Sequence, residues 1–414
     1  MNLLTLGLCG VAFGAVVSQT FLDFSILFLL CTLVVQQIKS KKLSISLRKP
    51  YFFEYGFICY IIVVILGLVT NHHFDYLNLS KLIKFNWIIN FYILYWSITR
   101  IEFNSIQILK FFSFAFVLPN LYAVTTFVFN HNWLTRNELH ESRVVGLVNS
   151  ATYHAHGNAL LFTFFSVIFY LNFKYLNLKL KAQATFALIL FILSISLTFT
   201  RGIWISIVIV GCIFLYMNNK KHLFLALTVG CLVFSSLFKL SSVFNERINH
   251  SINTKSSDHL RWNLFKVHIE MIKDSPLLGV GHTDPLNHTA KWWPNLNLSE
   301  TYYDSHAHNQ FLNVFALTGI LGLICFLSFY LWFLIKNIQL FFFYKKNKRN
   351  LQSYFYITIA CLMVQIEFII ANFTDIGFEY TKIRILILMT WALILALDQK
   401  KIKIIDVTSS SIGR

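Results

Sequence analysis

The sequence predicts an all-α polytopic membrane protein of about twelve transmembrane helices, with one large, partly helical loop between the ninth and tenth. Three observations carry this. Hydrophobic residues fill 56% of the 414 positions and charged residues only 13%, far from the balance of a soluble domain. Apolar runs of about 17 to 25 residues recur from end to end, each long enough to cross a hydrocarbon core of about 30 Å. Lysine and arginine collect in alternate loops, as the positive-inside rule expects.

Taken in order, the spans fall near 3–18, 21–38, 51–70, 82–98, 105–128, 150–172, 183–200, 202–217, 222–238, 309–336, 351–371 and 382–398. The first has no basic region before it and runs almost directly into the second, so it reads as a retained helix rather than a cleaved signal. With both termini cytoplasmic, the basic loops are Lys39 to Lys49, Lys174 to Lys181, Lys220 with Lys221, Lys345 to Arg349, and the tail Lys400 to Lys403. The loop at Arg100 and Glu102 fits this parity weakly, and Lys81 and Lys84 sit awkwardly beside the fourth span. The chain reads as a single membrane domain, 1–414, carrying a lid-like loop at 239–307.

A formal net charge of +17 would suggest nucleic acid in a soluble protein; here cytoplasmic loops account for it, so the expected partners are membrane lipids and no nucleic acid. All seven cysteines fall inside predicted spans, which argues against a disulfide framework or a cysteine metal site.

Function belongs on the opposite face, at 71–80, 129–149, the tight hairpin at Arg201, the loop 239–307 and 372–380. In that loop, 260–272 reads as an amphipathic helix stopped by Asp274, Ser275 and Pro276 and followed by a glycine-containing turn, 277–281. Arg201 stands between two apolar runs, where a guanidinium serves as an interfacial anchor or as an anion site. Arg261 lies early in the loop helix, where Asp258 is a surface pairing alternative, and Arg143 precedes the sixth span. The polar stretch 304–309 contains His306, His308 and Asn309 and enters the tenth span. If it continues as helix, His308, Leu312, Phe315, Gly319 and Gly322 share one face.

Other chemistries find less support. His306 and His308 with Asp304, or His154 with His156, would need further metal ligands that neither a cysteine pair nor a zinc-protease helix supplies. Asp258, Asp284, Glu300 and Asp304 offer carboxylates for glycoside hydrolysis, but no spacing selects a pair. No phosphate-cradling glycine loop occurs.

His308 and Asn309, nine residues, then Gly319 to Gly322 resembles the pattern of the O-antigen ligase (WaaL) family and its relatives in the O-antigen polymerase and ligase superfamily. Thr200, Arg201 and Gly202 between two spans look like that family's first arginine motif. Arg261 followed by 276–281 is similar to the second arginine and its turn. Arg143 to Gly146 resembles a weaker motif, although Asn149, Ser150 and Ala151 replace the usual Asn-Pro-Asn.

The resemblance implies a GT-C-type glycosyltransferase in the bacterial inner membrane with its site on the periplasmic face, working without metal or other cofactor. The implied donor is an undecaprenyl-pyrophosphate-linked glycan and the implied acceptor a lipid A-core sugar. Arg201 and Arg261 would bind the diphosphate and His308 would be the base, since imidazole ordinarily titrates at about 6.5. Direct attack would invert the anomeric carbon. Asn309, His306 and Arg143 would touch substrate, and Asp375 would orient His308 or Arg201 or else be a solvated loop acid. An O-antigen polymerase or a protein O-oligosaccharyltransferase would use the same donor chemistry. A transporter or flippase would instead want charged groups in mid-membrane, for which Glu367 and Lys110 are the main candidates.

Overall fold

A computed structural model describes residues 3–40, 51–71, 85–102, 104–133, 137–138, 144–148, 150–228, 255–281, 291–293, 306–348 and 350–412. The helices in chain order are α1 (Leu3–Val17), α2 (Gln19–Ser40), α3 (Phe52–Thr70), α4 (Trp87–Thr99), α5 (Ser105–Ala115), α6 (Val117–Val128) and α7 (Ala151–Asn172). They continue with α8 (Leu178–Ser196), α9 (Arg201–Asn218), α10 (Lys255–Asp274), α11 (Gln310–Lys346), α12 (Gln352–Ala371) and α13 (Thr381–Ile412). A two-residue antiparallel ladder, His131–Asn132 against Asn137–Glu138, is the sheet structure among the described residues.

Among the described residues, eight helical segments are long and apolar enough to cross a membrane. α1 is apolar but shorter, at 15 residues. The expected fifth span divides at Phe116, because Pro119 lacks the N–H that would bond the Ala115 carbonyl; one residue on, the Asn120 N–H and Nδ2 both donate to the Phe116 carbonyl, at 3.4 and 2.8 Å. The seventh ends at Ser196, earlier than expected, and most of the expected ninth, 222–238, lies outside the described residues. Helix starts follow the capping chemistry of the sequence: the side chains of Asn104, Ser150, Asn177 and Asn309 each accept a backbone N–H from the first turn.

Aromatic packing holds the centre. Phe53 and Phe57 of α3, Phe91 of α4, Phe329 and Phe333 of α11 and Trp391 of α13 are all buried. The Phe333 and Trp391 rings lie parallel at 4.7 Å, and Phe57 meets Phe329 edge-on at 4.8 Å. The second layer pairs α7 with α12, where Ala155, Ala159 and Ala371 permit close approach alongside Ile195 and Ile203.

One interruption shapes the functional end. α11 breaks at Gly319, whose φ of 65° and ψ of −173° suit glycine alone. A continuous helix would bond the N–H groups of Ile320 and Leu321 to the carbonyls of Ala316 and Leu317. Those groups instead pair with the turn after α10. Ile320 and Leu321 donate to the carbonyls of Pro276 and Leu277 at 2.9 and 3.3 Å, while Val280 and Gly281 donate to those of Ala316 and Leu317 at 3.0 and 3.1 Å. The chain at Gly319 is therefore a socket for a turn rather than part of a continuous helix face. Methyl groups at Gly279 and Gly319 would overlap the Leu317–Thr318 and Leu277–Leu278 peptides respectively. α10 covers the socket with Leu264, Val267 and Met271, joined by Trp292 and Trp293, so the loop is docked on α11.

Gly319→Ala should destabilise the protein by about 1–3 kcal/mol, visible as a lower thermal midpoint in detergent. Gly211→Ala in α9, with open space around it, should leave the midpoint equal or raised.

Candidate active site

The histidines precede α11 rather than riding on it. His308 has φ of 47°, in the left-handed region, and the helix begins at Gln310 behind an Asn309 cap whose Oδ1 accepts the Leu312 N–H at 3.0 Å. The expected helical register of His308 with Leu312, Phe315, Gly319 and Gly322 is thus incorrect. Asn309 captures the helix N-terminus and releases the residue before it from helical geometry, and the Gly319 break interrupts the remainder. The His308 N–H donates to His306 Nδ1 at 3.4 Å, and the two rings meet edge-on at 4.3 Å, so the half-buried histidines form one unit.

The segment 372–380 cradles this unit. Gln310 N–H donates to the Asn372 carbonyl at 2.9 Å and Asn309 Nδ2 to that of Phe373 at 3.2 Å. Gln310 Oε1 accepts the Phe378 N–H at 3.0 Å, and Asn372 Oδ1 accepts that of Gly377 at 2.6 Å. Phe378 anchors the segment in the aromatic centre, 5.3 Å from Phe326 and 5.4 Å from Trp87, and buried Arg384 donates to its carbonyl at 3.2 Å.

Asp375 is buried, not solvated. Its Oδ1 accepts the Ile376 N–H at 2.8 Å and the Tyr380 hydroxyl at 3.2 Å. The Tyr380 ring stands 4.1 Å from Tyr153 and 6.4 Å from His306. Asp375 therefore meets the histidine unit through Tyr380.

The same segment touches the Arg201 turn. Gly202 has no side chain because Thr374 occupies its place: a methyl there would overlap the threonine hydroxyl. Phe199, with φ of 53°, makes the reversal tight enough for α9 to start at an exposed Arg201. Thr198 Oγ1 and Trp204 Nε1 both donate to the Ile195 carbonyl, at 2.7 and 3.3 Å, and close the hairpin. Val144 donates to the Leu197 carbonyl at 3.1 Å and docks its segment on the hairpin, whereas Arg143 and Asn149 lie outside the described residues.

Arg261 lies on the exposed face of α10, one turn before Leu264. What connects it to the histidines is the packing of α10 on α11 and the turn seated at Gly319. Asp284, Glu300 and Asp304 fall outside the described residues, as does the side chain of Asp258. His154 is bound within the core: its Nε2 is 2.6 Å from Ser194 Oγ, and Gly146 packs on its ring. Among the described residues, no group of three or more His, Cys, Asp or Glu side chains is placed to share a metal ion.

Residues 186–327, about a third of the chain, match the family model described as O-antigen ligase. That match supports the O-antigen ligase/polymerase family. It runs from α8 through the Arg201 hairpin, α10, the 276–281 turn and the histidines to beyond the Gly319 break, and it stops short of 372–380. No curated protein matches the chain. Gln310, Thr374 and Tyr380 carry no sequence signal beyond their closeness to Asn309 and Asp375; their contacts join segments distant in the chain.

Asn309→Ala removes the α11 cap and the bond to Phe373 together. It should lower stability by about 1–2 kcal/mol, read from the thermal midpoint, and reduce activity by more than that loss of folded protein explains.

Proposed function

We propose that the protein is an O-antigen ligase, moving a glycan from undecaprenyl pyrophosphate to a lipid A-core hydroxyl on the periplasmic side of the bacterial inner membrane. The observation that carries this reading is the segment 372–380, which bonds to the histidine unit through Asn309 and Gln310 and packs on Gly202 beside Arg201. A base and a phosphate-binding cation thus flank one rigid element. The match to the O-antigen ligase family model over these motifs supports the same donor class.

In this reading, the acceptor oxygen attacks the anomeric carbon from the face opposite the diphosphate. His308 takes the acceptor proton as the new glycosidic bond forms, the bond to the diphosphate oxygen breaks, and undecaprenyl pyrophosphate departs with its electron pair. The configuration inverts. Arg201, the first residue of α9, adds its guanidinium to the positive end of that helix, suiting it to hold the diphosphate and the charge that grows there. Arg261 supplies a second cation from α10, Arg143 a third, and His306 and Asn309 contact the glycan or the acceptor. GT-C-type architecture, with donor and acceptor ordered between the docked loop and the membrane, would supply orientation.

Purified protein given undecaprenyl-pyrophosphate-linked glycan and lipid A-core should form capped lipopolysaccharide. His308→Ala should slow this by about 10²–10⁴-fold and Arg201→Ala by about 10²–10³-fold. An undiminished rate in His308→Ala would remove the base assignment. In a deletion strain, loss of capped lipopolysaccharide with lipid-linked polymer accumulating identifies a ligase; shortened chains identify a polymerase.

A further inference from the structure

One buried residue that the mechanism leaves unused is His156. It lies in α7, fully buried, and neither ring nitrogen has a hydrogen-bond partner. Its Nδ1 faces Asp375 Oδ2 at 4.0 Å, and that oxygen, also buried, has no partner either. A buried imidazole and a buried carboxylate each lose hydration without compensation unless they meet one another. A side-chain adjustment of about 1 Å would bring them within hydrogen-bond range.

The surroundings are built to keep the two facing. Gly377 lies over the imidazole, where a methyl group would come within 2.6 Å of His156 Cε1, so the 372–380 segment sits this close only because that position is glycine. Phe368 covers the ring from α12 at 6.2 Å. Beyond Asp375 the contacts run outward. The carboxylate's other oxygen takes the Tyr380 hydroxyl, and the Tyr380 ring lies between Tyr153 and His306. His306 in turn accepts the His308 N–H.

We propose that His156 is a positioning residue for the transfer site: it holds the Asp375 carboxylate from behind, and through Asp375 fixes the Tyr380 ring and the His306–His308 unit. The His156–Asp375 pairing is argued from the buried geometry; its effect on transfer rests on the glycosyl-transfer reading above. Positioning of this kind acts on the reacting geometry rather than on donor affinity. Its loss should therefore appear in kcat, with KM for the lipid-linked donor nearly unchanged.

The test uses the full-length protein in detergent, with undecaprenyl-pyrophosphate-linked glycan and lipid A-core as substrates. His156→Phe, His156→Asn, Asp375→Asn, His156→Phe with Asp375→Asn, and His308→Ala are measured for thermal midpoint, kcat and KM. His156→Phe should lower kcat at least tenfold with donor KM within twofold. His156→Asn, whose amide can donate from close to the Nδ1 position, should recover to within about fivefold of the parent enzyme. The double variant should be no slower than the slower single one, because both changes break one chain of contacts. Multiplying losses, a His156→Asn variant as slow as His156→Phe, or an undiminished kcat in a folded His156→Phe would each overturn the inference. Should His156→Phe fail to fold, the comparison of His156→Asn and Asp375→Asn, singly and combined, decides on the same criterion. Full activity in His308→Ala would instead defeat the base assignment, while coupled thermal midpoints for positions 156 and 375 would leave their pairing standing.

Discussion

The exchange of backbone hydrogen bonds at Gly319 is the constraint on which the functional end depends. Within a hydrocarbon layer an unpaired N–H or carbonyl costs several kcal/mol, so a transmembrane helix breaks only where something else takes up the freed groups. Here the 276–281 turn supplies two carbonyls and two N–H groups to the two N–H groups and two carbonyls that the break releases. Glycine is required on both sides, at 279 and 319, because the two backbones touch and both residues adopt positive φ. The break and the turn are therefore one structural unit, although more than thirty residues of chain separate them.

A second unit, the segment 372–380, translates that construction into a site. It is held at one end by Phe378 in the aromatic centre and by Arg384, and along its length by backbone bonds to Asn309 and Gln310. Because Thr374 fills the place of a side chain at Gly202, the same segment sets the distance between the start of α9 and the start of α11. Two helix N-termini, one beginning at Arg201 and the other just after His308, thus share one spacer, exposed at Phe373 and Thr374 and buried from Asp375 to Phe378.

Much of this organisation was legible in the amino-acid order. Apolar runs marked most helices, and the Asp274-Ser275-Pro276 stop marked the end of α10, which the structure places at Asp274. The spacing from His308 to Gly319 was misleading about local structure. It looked like helical register, whereas Gly319 is a break and His308 lies outside the helix, because Asn309 caps and Gly319 unwinds. Asp375 read either as orienting His308 or Arg201 or as a solvated loop acid; its burial goes with Phe378 packing in the aromatic centre, a contact invisible to local pattern. His156 stood out in the sequence only with His154 as a candidate metal pair, because a histidine in an apolar helix looks the same whether it fills space or faces a carboxylate.

The break at Gly319 also bears on how the chain assembles. Before the turn arrives, residues 310–346 have a local alternative: Ile320 and Leu321 can bond back to Ala316 and Leu317 and form one straight helix, with only the modest penalty of glycine in its interior. That alternative closes a loop of four residues, whereas the native pairing closes one of more than thirty and goes with the docking of α10. The bent form of residues 310–346 is therefore tied to the docked loop: without α10 and its turn in place, the straight helix is the form that local bonding favours.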